Sequence, residues 1–305
     1  MINNYLDKVY LFLFFFIPIS IVMGSAISLI NIVILLLTFL LFSVKDIRKN
    51  ILNRQEIILL TILYSYLIFN SFIAIDFEMS ATRNFGFIRF LILFVVINYF
   101  FKTYRNADNI FKFWSLVIIL VALDSYLEFF TGKNTLGYGE LYGDRIVSFF
   151  KDEPIVGAFI NGFFFIVVGF FFDKFINKDL KLKILLVLLI LFLFSIVIIT
   201  GERSNGIKLL FGLFLFFVLN KRLNLKKKII TLISVFTLLL IILLNSNYLK
   251  SRYYGGFVYH LTDIERLSTF IEKQEYFELY RSGITIFKDY PFFGVGNKNY
   301  RVVTL

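Results

Sequence analysis

The sequence predicts an all-α polytopic membrane protein with about nine transmembrane helices, a cytoplasmic N-terminus and the start of a large extracytoplasmic loop at the C-terminus. Three observations predict it. The chain is 59% apolar with 17% charged residues and 42 phenylalanines, too little polar surface to cover a water-soluble domain. Stretches such as "IILLTILYSYLIFNSFIAI", "FWSLVIILVALDSYLEFF" and "ILLVLLILFLFSIVIIT" each approach the roughly 20 apolar residues that cross a bilayer's hydrocarbon core. The basic residues, finally, concentrate in alternate connecting segments.

Taken in order, the predicted spans are 8–23, 26–44, 57–75, 85–101, 111–130, 155–173, 183–200, 206–219 and 229–244. Lipid offers no hydrogen-bond partners, so each span has to satisfy its own backbone as a helix. Pro18 and Gly24 interrupt the first long apolar run, which reads either as two spans or as one kinked helix. No small-residue cleavage site follows that run, which argues against a cleavable signal peptide.

Lys8, then Lys45, Arg48, Lys49 and Arg54, then Lys102, Arg105 and Lys112, then Lys174, Lys178, Lys181 and Lys183, and then Lys221, Arg222 and Lys226–Lys228 occupy one set of segments. The alternate short loops hold only Arg83, Lys133, Arg145, Lys151 and Arg203. By the positive-inside rule residues 1–244 form the transmembrane domain, and residues 245–305 lie on the far side as an extracytoplasmic segment. The net charge of +11 is dispersed over short loops and forms no single patch, which excludes nucleic acid as a partner. With no cysteine there is no disulfide and no thiolate metal site.

Ionisable groups in or against the bilayer are costly and therefore mark candidate sites. Arg89 lies inside the outer end of its span and Arg83 in the loop before it; a side chain that snorkels to headgroups is the simplest account of Arg89. Asp124 and Glu128, four residues apart, project from one face of the fifth span in its outer half. Their spacing fits either an ion pair to Arg83 or Arg89 or a catalytic acid–base pair.

The loop "TGERSNG" is not a phosphate loop, because Ile207 separates Gly206 from Lys208 and no Ser or Thr follows that lysine. Ser204 or Asn205 is expected to cap the following helix, whose free amides and positive dipole end, beside Arg203, suit an anion; Glu202 opposes this unless it turns away. "GVGNKNY", Gly294 to Tyr300, lacks the third glycine of a dinucleotide motif. With Pro291 it is expected to end an amphipathic helix over 272–288 and turn the chain. His260, the single histidine, reads as a surface residue.

Three segments, in order, resemble the O-antigen ligase and polymerase family of bacterial envelopes. "DSYLEFFTGKNTLGYGELYGDRIVSFFKDEPIVGAFI" resembles the family's fifth-helix Asp, its Gly-x-Asn-x-x-Gly turn and its Phe-Phe-x-Asp-Glu lead-in to the sixth helix. "TGERSNG" resembles its Thr-Gly-x-Arg loop, and "GITIFKDYPFFGVGNKNYR" its Asp-x-Pro-x-x-Gly-x-Gly segment. The resemblance covers residues 57–301.

It implies a multi-pass protein of the bacterial cytoplasmic (inner) membrane that transfers an undecaprenyl-diphosphate-linked glycan to lipopolysaccharide core or a growing glycan on the outer side, among membrane lipids, without cofactor or metal. Arg203 matches the family's diphosphate-binding arginine; Arg83 and Arg89 face the same side, and Arg281 and Arg301 are candidates for a second diphosphate contact. Readings from other classes are a lipid-linked sugar flippase or a catalytically silent assembly subunit. The resemblance also implies a chain cut inside its large outer loop, because the family's base histidine has no counterpart here and His260 lies upstream of the glycine turn. A naturally shortened protein is the alternative.

Overall fold

The computed structural model describes residues 2–43, 53–103, 107–139, 145–151, 153–250 and 275–304. His260, Lys45, Arg48, Lys49 and Arg105 lie outside the described residues. Among those described there are helices and loops and no β-strand.

The helices are α1 (Ile2–Met23), α2 (Ser25–Thr38, continued by a π turn over Phe39–Ser43), α3 (Arg54–Phe72), α4 (Phe77–Gly86) and α5 (Ile88–Thr103). They continue with α6 (Ala107–Thr131), α7 (Val156–Phe175), α8 (Leu180–Ile199), α9 (Arg203–Leu219) and α10 (Leu225–Asn245). A short α11 (Asn247–Lys250), an amphipathic α12 (Glu275–Asp289) and α13 (Tyr300–Thr304) complete the described elements.

Every predicted span falls on a helix, and the differences lie at the ends. Among the described residues seven helical stretches are long and apolar enough to cross a membrane: Ser25–Phe42, Arg54–Phe72, Phe77–Thr103, Asp108–Thr131, Val156–Phe175, Leu180–Ile199 and Leu225–Asn245. The other two expected spans, 8–23 and 206–219, are helical but shorter: the apolar part of α1 is Lys8–Met23, and α9 has 17 residues. The chain is a membrane protein.

α1 runs through Pro18 unbroken and ends at Gly24, whose φ of +124° no L side chain adopts comfortably. Glycine, not proline, separates the first two helices. The expected loop around Arg83 is instead α4. Asp76 caps it, its Oδ1 accepting from the Met79 N–H at 3.0 Å, and Arg83 stands in the last turn. An acid at the cap and another at Glu78 were the sequence signals for this start.

The chain divides into two compact units. One comprises Met1–Phe14, Leu29–Ala107 and Asp263–Leu305, the other Phe15–Ser28 and Asp108–Thr262. In the first, Phe14 stacks on Phe100 at 4.0 Å between centroids, and Phe39 meets Tyr99 edge-on at 5.4 Å. α3 in this unit is inside-out: it buries Asn70 and Ser71 while exposing Ile57, Leu59, Ile62 and Phe72. A helix with its polar groups inward and its aliphatic groups outward is built for a lipid solvent.

In the second unit α8 packs against α7, α9 and α10. Its last two turns, Leu193 to Ile199, are buried on all sides, so it forms the core of this bundle. α7 supplies the facing layer through Val156, Ile160, Phe164, Val167 and Val168, whose spacing of three, four and seven lines one helix face. At one end of the unit Lys174 pairs with Asp108 and Arg222 with Asp173. The C-terminal end of α6 and the N-termini of α7 and α9 lie at the other end, and there the candidate polar groups collect.

Candidate functional site

Asp124 and Glu128 do share a face at the end of α6, and both are 4% exposed. Their oxygens are taken by the loop that follows. Asp124 Oδ1 accepts from the Thr135 N–H at 3.0 Å and the Thr135 hydroxyl at 2.6 Å, and Oδ2 accepts from the Ser148 hydroxyl at 2.6 Å. Glu128 Oε1 accepts from the Val147 N–H at 2.9 Å and Oε2 from the Ser148 N–H at 2.6 Å.

Asn134 completes the frame: its Oδ1 accepts from the Leu136 and Tyr138 N–H groups, and its Nδ2 donates to the Ser148 carbonyl. The "GKNTLG" turn is thus an Asn-centred loop. Ser148 sits at the hub with a φ of +47°, fully buried, a conformation kept because three side chains hold its N–H, hydroxyl and carbonyl. Gly139 is required where the chain passes Gly132, since a Cβ there would lie 2.7 Å from the Gly132 carbonyl oxygen.

The Thr200–Arg203 loop joins the core helix α8 to α9. Gly201 adopts a φ of +71°, and the Tyr248 ring packs so closely that a Cβ at 201 would stand 2.6 Å from its hydroxyl. Glu202 is the residue preceding α9, so Ser204 and Asn205 lie inside the helix and do not cap it. The helix starts two residues earlier than a Ser204 cap would set it, because the chain turns at Gly201.

Glu202 turns toward α7. Its Oε1 accepts from the Gly157 N–H at 2.7 Å, in the first turn of that helix, and its Oε2 accepts from the Asn205 side-chain amide. Burial pulls the Glu202 carboxyl above the ordinary carboxylate range; the Gly157 N–H, the Asn205 amide, the Ala158 N–H and the Arg145 charge offset this only in part. Arg203 follows at the first position of α9, exposed, and among the described residues it has no ion-pair partner.

Beside the first of these structures lies a cavity of about 280 Å³ lined by Glu128, Gly132, Gly139, Arg145, Ser246 and Tyr248. Its wall carries one carboxylate and one guanidinium, so it suits a polar ligand.

The first unit contains a polar assembly that sequence reasoning missed. The 294–300 loop is fastened to the α3–α4 corner: Asn297 donates from its backbone to Asn70 Oδ1 at 3.0 Å and from Nδ2 to Asn84 Oδ1 at 2.8 Å. Asn84 donates in turn to the Ser71 and Ser80 hydroxyls. Asn299, fully buried, accepts from the Asp76 N–H and donates to the Asp76 carbonyl. Gly296, at φ +92°, lies against Ala74, where a Cβ would come within 2.3 Å of the alanine Cβ. The turn that was expected only to end a helix is also a docking surface. Asn70 and Ser71 inside an apolar span were the available signal.

The candidate residues therefore fall in two groups. Asp124, Glu128, Arg145 and Arg203 belong to the second unit; Arg83, Arg89, Arg281 and Arg301 belong to the first and are exposed there. Arg89 is the second residue of α5, its guanidinium 5.0 Å from the centre of the Phe90 ring. Arg301 lines a cavity of about 650 Å³ with Met79, Lys298, Tyr300 and Val302.

Both the Thr200–Arg203 loop and the docked 294–300 loop fall within one matched segment. Residues 185–303 match the O-antigen ligase family. The resemblance read from "TGERSNG" and "GITIFKDYPFFGVGNKNYR" is borne out by this match, while the segment from Asp124 to Ile160 lies outside it. No curated protein and no solved structure matches the chain. Within the matched segment α8 and α9 flank the first loop and α12 precedes the second.

Proposed function

We propose that this chain takes part in transferring a glycan from an undecaprenyl diphosphate carrier to a sugar acceptor, lipopolysaccharide core or a growing glycan, at the outer face of the bacterial inner membrane. The observation that carries the reading is Arg203: a cation with no ion-pair partner among the described residues, at the first turn of a helix, inside the O-antigen ligase match. A guanidinium suits a diphosphate, which its planar fork engages through paired charge-assisted hydrogen bonds, while the Arg203 and Asn205 amides of that turn already donate to the Gly201 and Glu202 carbonyls.

In such a transfer an acceptor hydroxyl attacks the anomeric carbon, the bond from that carbon to the diphosphate oxygen breaks, and the hydroxyl proton passes to a base. Arg203 stabilises the leaving diphosphate. Arg83, Arg89, Arg281 and Arg301 are candidate diphosphate contacts within the first unit, and in the second Asp124 and Glu128 hold the Asn134–Ser148 loop that borders the polar cavity. On the nine-span reading with a cytoplasmic N-terminus, Arg145 and Arg203 lie on the outer side.

The test is transfer in membranes from a strain that depends on this gene. Arg203→Ala is expected to abolish glycan transfer while the protein stays inserted, and Arg203→Lys to retain little, because a point charge cannot meet two phosphate oxygens at once. Wild-type transfer by the alanine variant overturns the reading.

A further inference from the structure

Glu202 poses a problem for an anion site at Arg203, since a carboxylate on the neighbouring residue ordinarily repels a diphosphate or neutralises the arginine. The structure resolves it. Both Glu202 oxygens are directed away into α7 and Asn205, with Oε1 2.7 Å from the Gly157 nitrogen. The charge of Arg145 lies near the same carboxylate.

This arrangement depends on a glycine. A Cβ at position 157 would lie 2.8 Å from Thr200 Oγ1 and 2.9 Å from Glu202 Cδ and Oε1, whereas Gly162 and Gly169 in the same helix face open space. Of the three glycines in α7, only Gly157 is in contact with the loop. On its other flank the loop is fixed by Gly201 against Tyr248.

We propose that Gly157 and Glu202 are a positioning pair for Arg203: the glycine opens the first turn of α7 to the glutamate carboxylate, and the carboxylate, seated there, leaves Arg203 as an uncompensated cation for a diphosphate. The proposal rests on the reading of Arg203 given above. Glu202 acts through its neighbour and does not touch the ligand. The glycine contributes by having no side chain.

The full 305-residue chain in lipid nanodiscs tests it, with a C55 polyprenyl diphosphate as probe and the corresponding monophosphate as reference. Gly157→Ala and Glu202→Gln are each expected to weaken diphosphate binding about tenfold, with monophosphate binding unchanged, because only the paired contact to two phosphates needs the arginine in register. Gly162→Ala is expected to bind as wild type. If Gly157→Ala does not fold, the isosteric Glu202→Gln decides.

Tighter diphosphate binding by Glu202→Gln would show the glutamate to be a simple opposing charge and overturns the pair. So does wild-type binding by Gly157→Ala alongside a loss in Arg203→Ala, an outcome that leaves the Arg203 reading standing. Undiminished binding by Arg203→Ala removes both, since the pair would then have nothing to position.

Discussion

Asn297 and Asn84, 213 residues apart in sequence, are joined amide to amide, the Asn297 Nδ2 donating to the Asn84 Oδ1 at 2.8 Å. Asn84 is 1% exposed and also donates to Ser71 and Ser80, so one side chain serves three segments. Asn84, Ser71 and Ser80 are buried while Asn297 is exposed, so the contact anchors a surface loop to a buried polar cluster.

Asn84→Ala is accordingly expected to loosen the docked loop. Leaving the buried Ser71 and Ser80 hydroxyls without their donor, and releasing Asn297, costs about 2 kcal/mol, in the range for buried polar groups left unsatisfied. Hydrogen exchange at the amides of residues 294–300 should accelerate about 30-fold, with helices of the second unit unchanged.

The two glycines of that loop are expected to differ. Gly296→Ala places a Cβ 2.3 Å from that of Ala74 as well as in a left-handed conformation, whereas Gly294→Ala, at φ +69°, meets open space and incurs only the backbone strain. The first should release the loop and the second only weaken it by about 1 kcal/mol. Thermal melts of both variants give the order.

Glu128→Gln offers one carbonyl oxygen where the carboxylate gave two, so either the Val147 or the Ser148 N–H loses its acceptor. A buried amide without a partner costs about 1–3 kcal/mol. The variant should melt earlier and be cut faster by trypsin at Arg145. Unchanged cleavage would mean that the carboxylate does not hold this loop.

Glu202 gives a dependence on pH. Burial sets its folded-state pKa above the unfolded value of about 4.3, so between the two values the folded chain holds a proton that the unfolded chain has lost. Its contribution to stability is therefore fully present in acid, falls as pH rises through that interval and levels off above the folded pKa. Glu202→Gln removes the slope. The stability difference between wild type and variant, followed by denaturation in detergent, should shrink with rising pH and then stay constant.

The topology is open to thiol labelling, because the chain has no cysteine of its own. Cysteines at the exposed positions Leu136 and Ser204 should react with an impermeant reagent added outside intact cells, and one at Asn224 should not. Labelling at Asn224 alone reverses the orientation.

The helices were legible because span length and apolar composition are strong, local signals: the span read at 183–200 is Leu180–Ile199, and that at 111–130 is Ala107–Thr131. The shared face of Asp124 and Glu128 followed from spacing alone. What they bind did not, because Thr135, Val147 and Ser148 lie in loops and only the fold brings them back. The turn of Glu202 into α7 was equally hidden, although its partner is a glycine that could have been noticed. The Asn70, Asn84, Asn297 and Asn299 cluster was missed because each residue is unremarkable within its own segment, and only their contacts make them a set.

The join between Asn84 and Asn297 also orders the protein's biogenesis. When α3 and α4 leave the ribosome their polar corner has no mate, and 213 further residues must be made before Asn297 arrives. At about 5–20 residues per second that is a wait of roughly 10–40 s. Through that interval the Asn70 and Asn84 side-chain oxygens need water in place of the Asn297 donors. The first unit is thus a late-closing one, built from the earliest and the last segments described, while α6 to α10, the larger part of the second, are synthesised in a continuous run and can pack as they emerge.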